Sequence, residues 1–336
     1  MTNIDPTRRQ FVALMGGTAA TIIIPMDAAR ALPVSSSLGD LHSSVSRTAR
    51  EFHASESATL LDGVYAKIFD RVPAQSVIES VVQVKFLPVH AAVIVDPPKN
   101  TGRFVWNFET KQDGAAFHAV RDNDPRTVID GGRVVRHRDL SKALADLTRA
   151  MRRSREMEAA NIFNSAQTYD VNLGGDGVSL CSLRHPHESG VWANTLLAPC
   201  DLNSTSLAAV LQRIESDFVD EAGIKIKTRG RSLLVARENA SAAHQTLSDL
   251  DGNLFAYFNR EPIVWNQLGP NNWFVLTETR GLTWFERDPF SITCIADAEK
   301  DCVLVFSDER RKFGCRDPRA VFGSIQTLNQ GISHER

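Results

Sequence analysis

The sequence predicts an α+β fold on three observations. Residues 140–167 run for 28 positions without Gly or Pro, and Leu140, Leu144, Leu147 and Met151 fall at the i, i+4, i+7, i+11 spacing of one helix face. Runs rich in β-branched and aromatic residues recur through the second half, cut by Gly269-Pro270, Asp288-Pro289 and Asp317-Pro318. Residues 102–135 alternate Phe104, Trp106 and Phe108, pass a polar tip ETKQDGA, and return through Phe117 and Val120, the pattern of a long β-hairpin. A chain of 336 residues with 43% hydrophobic and 23% charged residues has an ordinary globular composition and enough length for two lobes.

The N-terminal stretch PTRRQFVALMGGTAATIIIPMDAARA sets Arg8 and Arg9 before an uncharged run, with Ala29-Arg30-Ala31 beyond it. That is the layout of a twin-arginine export signal. Gly16, Gly17 and Pro25 break the apolar run, so membrane insertion is not expected. Residues 30–58 are rich in Ser and Ala and are read as an arm or linker. Leu60, Leu61, Val64 and Ile68 space a short helix that ends before Pro73, and SVVQVKF and VHAAVIV read as strands.

The excursion over 102–135 has too little apolar surface for a core of its own, so its aromatic face needs cover. Asp139 is placed to cap the long helix, whose length at about 1.5 Å per residue is roughly 40 Å, and Arg149, Arg152, Arg153 and Arg155 are read as lying mostly off its apolar stripe. Further on, Leu207, Val210, Leu211, Ile214 and Phe218 line one side of a helix over 204–221. SLLVA reads as a buried strand, and 239–251 as another helix. PIVWNQL, NWFVLTET, LTWFER, FSITCIAD and CVLVFSDERRKFG read as further strands.

Little in this pattern suggests catalysis. Cys181, His185 and His187 form a C-x3-H-x-H cluster with no second cluster to complete a tetrahedral metal site. GGDG at 174–177 lacks the G-K-[ST] of a phosphate loop and is read as a tight turn needing positive φ. No G-x-S-x-G, H-E-x-x-H or strand-flanked G-x-G-x-x-G occurs. No metal, cofactor or catalytic residue is therefore expected. Five cysteines, widely spaced and without a C-x-x-C pair, argue against a disulfide framework. A net charge of -2 puts any contact with DNA on a local basic face.

The stretch EAANIFNSAQTYDVNLGGDGVSLCSLRHP, Glu158 to Pro186, resembles the segment AANxFNxA…GGDGxxLCSxxHP of major capsid proteins of tailed double-stranded DNA phages, in the lineage that includes the Mu-like head subunits. Residues that match are Ala159, Ala160, Asn161, Phe163, Asn164, Ala166, Gly174 to Gly177, Leu180 to Ser182, His185 and Pro186. WFVLTETRGLTWFERDPF (273–290) and ERRKFGCRDPRAVFGS (309–324) are similar to that family in the same order, the latter to its aromatic-Gly-x-x-Asp-Pro-Arg ending.

The resemblance implies the Hong Kong phage capsid fold. Its parts would be an N-terminal arm (1–58), a peripheral domain (59–101 and 136–200) with a spine helix over 139–167, an extended loop (102–135), an axial domain (201–305) and a C-terminal strand and tail (306–336). It implies a non-enzymatic, self-assembling subunit that forms the pentamers and hexamers of an icosahedral head around double-stranded DNA, assembled in the host cytoplasm and resident in the virion. Scaffold, portal and decoration proteins would be its partners, and no membrane. Phe104, Trp106, Phe108, Lys111 and Phe117 become candidate subunit-interface residues, and Arg149, Arg152 and Arg153 a candidate DNA-facing patch. Some relatives crosslink a Lys to an Asn, and Lys111 at the hairpin tip is the candidate here. The alternative, a twin-arginine-exported periplasmic binding protein or enzyme, stays open at this level.

Overall fold

A computed structural model describes residues 37–56, 63–74, 78–82, 105–109, 111–120, 134–169 and 176–325, with the backbone alone for 78–82, 105–109, 111–114 and 120. The export-like segment, Phe104, Gly174 and Gly175 lie outside the described residues. In chain order the elements begin with helix α1 (Leu38–Glu56), the single turn α2 (Tyr65–Ile68) and strands β1 (Asp70–Pro73), β2 (Ile78–Val82), β3 (Val105–Glu109), β4 (Lys111–Val120) and β5 (Val134–Arg136). Helix α3 (Leu140–Asn164), hairpin strands β6 (His185–His187) and β7 (Gly190–Trp192), and helix α4 (Ser204–Asp217) follow. Strand β8 (Gly230–Ala236), helix α5 (Ala240–Asp249) and strands β9 (Ile263–Trp265), β10 (Trp273–Thr277), β11 (Leu282–Asp297), β12 (Cys302–Cys315) and β13 (Val321–Ser324) complete the order.

The chain forms two compact units, the first drawn from 1–60, 112–152 and 289–309 and the second from 61–111, 153–288 and 310–336. Helix α3 and strands β11 and β12 give residues to each. In the first unit β4 runs parallel to β5, from His118 opposite Val134 to Val120 opposite Arg136, and β12 flanks β4 on its other side. Leu41, Val45 and Ala49 of α1 pack there with Phe117, Leu144, Leu147, Val303 and Val305.

That placement of α1 corrects the arm-or-linker reading over Leu38–Glu56, the described part of 1–58 that forms a helix. Leu38, Leu41, Val45, Ala49 and Phe52 sit on one helical face, and the intervening serines only lower the average hydropathy. Ser37 supplies the start, its Oγ accepting the Asp40 N–H at 3.1 Å and donating to the Asp40 carboxylate at 2.8 Å. Polar fastenings complete the docking. His42 Nε2 meets the Cys294 carbonyl at 3.2 Å, His53 Nε2 meets the Phe290 carbonyl at 2.9 Å, and Ser44 Oγ meets His137 Nε2 at 3.0 Å.

The second unit is organised on a four-stranded sheet of order β13-β10-β8-β9, with β8 antiparallel to β10 and parallel to β9. Its two faces alternate cleanly. Leu233, Val235, Trp273, Val275 and Phe322 join Leu207, Leu211 and Ile214 of α4 and Leu247 of α5 on one side. Leu234, Ala236, Phe274, Leu276 and Val321 join Ala159 and Phe163 of α3 and Ala166 of the turn after it on the other, with Tyr65, Phe69, Trp284 and Phe313. Coverage on both faces explains why SLLVA reads as a continuous apolar run rather than an alternating one. Helix α4 starts from a capping box in which Asn203 Oδ1 accepts the Ser206 N–H at 2.9 Å and Ser206 Oγ accepts the Asn203 N–H at 3.0 Å.

Two further expectations are corrected. Strand β3 pairs antiparallel with β2, from Ile78 opposite Glu109 to Val82 opposite Val105, so the hairpin arms enclose 83–104 rather than spanning 102–135. The second supposed arm, β4, instead lies between β12 and β5 as a sheet strand. Asp288-Pro289 does not break the chain, because β11 continues through it to Asp297. The register with β1 ends at Glu286, so on that side the proline's missing N–H falls beyond the last ladder position.

Candidate assembly and nucleic-acid surfaces

The spine helix α3 shows how one element can serve a core and a surface. Leu140, Leu144, Leu147 and Met151 are buried, while Arg149, Arg152 and Arg153 are exposed. Arg149, whose side chain is 72% exposed, donates to Asp146 Oδ1 at 2.7 Å. Arg155 departs from the sequence reading. It is buried, donates to the Tyr65 hydroxyl at 3.3 Å, and lies 5.4 Å from the Trp284 ring centroid. The signal was present, since Arg155 follows Met151 by four residues and so continues the buried stripe.

The next residue, Glu156, is also buried. Its two carboxylate oxygens accept the Val64 N–H at 2.7 Å and the Trp265 indole N–H at 2.6 Å. In the same unit Arg311, 1% exposed, meets Glu158 at 3.0 Å and Ser154 at 3.1 Å. Arg155, Glu156 and Glu158 thus fasten this half of α3 to the α2 turn, β9 and β12.

The predicted interface residues divide. Trp106 and Phe108 fall in β3, and Lys111 opens β4 rather than sitting at a hairpin tip. Phe117, expected at a subunit interface, is 2% exposed and packed in the first unit's core. Among the described residues, the large apolar side chains left in water are chiefly Leu197, Leu254, Val191, Tyr169, Ile224 and Met157, between 48% and 86% exposed.

The GGDG…CSLRHP motif builds a buried knot. Gly177 has φ of +89°, the positive value expected of this turn. His185, with no exposed surface, stacks on Trp192 at 4.6 Å, places Nδ1 2.7 Å from Asp176 Oδ2, and donates from Nε2 to Asn194 Oδ1 at 2.8 Å. Asn194 is the hub. Its amide nitrogen donates to the carbonyls of Leu180, Pro318 and Val321 at 2.7, 3.0 and 3.2 Å, and its oxygen also accepts the Ser182 N–H at 2.9 Å. Both His185 nitrogens are therefore engaged within the protein. Burial pushes the Cys181 thiol far up, which keeps it protonated.

A second knot holds the RDPR segment. Arg319 is buried, donates from Nε to the Val219 carbonyl at 2.6 Å, and pairs with Glu221 at 2.9 Å and Asp317 at 3.1 Å. Its guanidinium lies 5.3 Å from the Trp192 ring centroid, which links the two knots. Burial raises the Asp317 carboxyl above its ordinary value, against the opposing pull of Arg319. Sequence reading missed Asn194 and Glu221, because a hub is defined by partners distant in the chain.

No protein family matches the chain, and no curated protein does. Its fold is similar to several solved structures. A virus-like particle from Pyrococcus furiosus aligns at a TM-score of 0.46 and 13% identity, covering 80% of this chain and 96% of that one. The capsid of a native GTA particle aligns at 0.47 and 14%, covering 78% and 89%. A phage-related protein from Bordetella bronchiseptica RB50 aligns at 0.45 and 11%, covering 80% and 94%.

Proposed function

We propose that this chain is a shell subunit, a major capsid protein of the tailed-phage kind, and of the Mu-like lineage within it. One observation carries the reading. The three sequence blocks that resemble that family, 158–186, 273–290 and 309–324, supply most of the buried residues of a single core. Phe163 and Cys181 come from the first block, Phe274 and Trp284 from the second, Phe313 and Val321 from the third. Their shared residues build a framework, and a container protein works through the geometry of its framework.

In this reading copies associate into pentamers and hexamers and close an icosahedral head around double-stranded DNA. Burial of apolar side chains between copies stabilises the shell at about 25 cal/mol per Å². Arg149, Arg152 and Arg153 face the packaged duplex through nonspecific phosphate contacts. Assembly in the host cytoplasm and residence in the virion follow from the same role, and no reaction is required of the subunit. Among the described residues no helix is long and apolar enough to cross a membrane.

Negative-stain microscopy of the purified full chain, with sedimentation velocity, tests the reading. Closed shells of uniform diameter are expected. A species that stays a monomer at high concentration overturns it. Mass spectrometry of the N-terminus separates the export alternative, since cleavage after Ala31 supports export and retention of residues 1–31 supports the shell subunit.

A further inference from the structure

A row of cations in the second unit answers a question that the spine helix leaves open. Lys225, Lys227, Arg229 and Arg231 alternate along the extended segment that leads into β8, whereas Thr228, Gly230 and Ser232 are buried and Ile226 packs against the core. The inward positions are constrained: a side-chain carbon at Gly230 would meet Leu211 at 2.3 Å and Val275 at 2.9 Å. Hydrogen bonds fix the backbone on both sides. Ile226 N–H donates to the Phe218 carbonyl at 3.1 Å, Glu278 N–H to the Arg229 carbonyl at 2.9 Å, and Asn259 N–H to the Arg231 carbonyl at 2.9 Å. The cations therefore occupy alternate positions of one segment, at most about 20 Å from first to last, and the register with β10 shifts at Arg231, between Gly230 and Ser232.

Three of the four are uncommitted. Lys225, Lys227 and Arg231 are exposed and make no ion pair with any described residue. Arg229 lies 4.9 Å from the Tyr257 ring centroid and 3.7 Å from Glu215, whose Oε1 accepts the Tyr257 hydroxyl at 2.6 Å. Arg231 and Tyr257 also line a groove of about 370 Å³ with Lys67 and Asn259, where Glu261 is the acidic member. On the spine helix, by contrast, Arg149 is already engaged by Asp146.

We propose that this row binds the phosphate backbone of double-stranded DNA. A protein partner needs apolar anchors between its charges, whereas here Ile226 packs against the core, Thr228 is buried, and the exposed Ile224 lies outside the row. A polymer of repeated negative charge needs only a row of positive charges along its path. The row makes contact without reading sequence, as a surface lining a DNA container would. That setting rests on the shell reading, but the binding does not.

The test uses the full-length protein, a fluorescent 20-base-pair duplex of arbitrary sequence, and anisotropy titrations from 50 to 200 mM salt. Three to four phosphates neutralised by the row contribute about -3 to the log–log salt slope, a roughly 40- to 150-fold fall in affinity over that range from the row alone. Replacing Lys225→Gln, Lys227→Gln and Arg231→Gln together should make the slope shallower by about 3, whatever the spine helix adds, while Lys225→Arg with Lys227→Arg should preserve it. Microscopy of the triple variant should still show shells. An unchanged slope overturns the proposal, and so does loss of shells in the triple variant, which would make the row a contact between copies. Wild-type protein that binds DNA as predicted but forms no shells would overturn the container reading alone.

Discussion

The two units solve the problem of a stable core differently. The second stacks large aromatics edge to face, with Phe163 contacting Phe69, Trp265 and Phe274 at centroid distances of 6.1, 5.9 and 5.2 Å. It then threads buried ionic and amide groups through the gaps, each with partners fixed in number and direction. The first unit relies on aliphatics such as Leu41, Val45, Leu144 and Val303 and fastens α1 with histidine and serine hydrogen bonds. Aliphatic cores tolerate exchange among residues of similar volume, whereas an aromatic interlock with a directed polar knot has few solutions. Residues 158–186, 273–288 and 310–324 belong to the second unit.

Truncation should expose that contrast most strongly at its aromatic centre. Phe163→Ala removes a ring with no exposed surface and should cost about 3–5 kcal/mol. Denaturant unfolding of the full chain, followed by tryptophan fluorescence, checks this, since Trp265 and Trp284 share that core. A loss under about 1 kcal/mol would mean that the site collapses around the gap and the interlock is loose.

Next in size is Asn194→Ala. It removes the side-chain partner of three carbonyls, the Ser182 N–H and His185 Nε2, of which the Pro318 carbonyl keeps the Val321 N–H, an effect of about 2–4 kcal/mol. Leu41→Ala should follow at about 2–3 kcal/mol, confined to the first unit. Hydrogen exchange read by mass spectrometry distinguishes the two, with faster exchange over 38–56 for Leu41→Ala and over 176–195 and 317–324 for Asn194→Ala. If both variants loosen both units equally, the units do not unfold separately and the comparison fails.

What could be read from the sequence followed the strength of local signals. Helices α3 and α4 and strand β8 were legible because long uninterrupted periodicity is a property of neighbouring residues. Helix α1 was not, because its apolar stripe is narrow and its serines resemble a linker until Ser37 and Asp40 are seen as a cap. The hairpin boundaries were misassigned because β3 and β4 both look like arms, and only long-range pairing decides which strand meets β2. Arg155 was misread by chemistry, since a guanidinium was assumed to seek water when Tyr65 and Trp284 could receive it. Motif residues such as His185 were visible, but Asn194, which completes their knot, carries no local mark.

The smallest expected effect concerns acid titration at Asp317. Burial raises its folded-state carboxyl above the ordinary value, helped by the charge of Glu221 and opposed by Arg319. A folded state that holds this proton more tightly than the unfolded chain gains stability below the unfolded value and loses it as pH rises through the folded one. Asp317→Asn cannot lose a proton, although its side-chain oxygen can still accept the Arg319 N–H that Asp317 now accepts at 2.9 Å. The stability of wild type minus variant should therefore decline as pH rises from the ordinary aspartate range upward, measured as paired urea midpoints at closely spaced pH values. A difference that grows with pH would mean that the Arg319 pairing outweighs burial. The second unit's knot would then be held together by its charges more than by the shape of its packing.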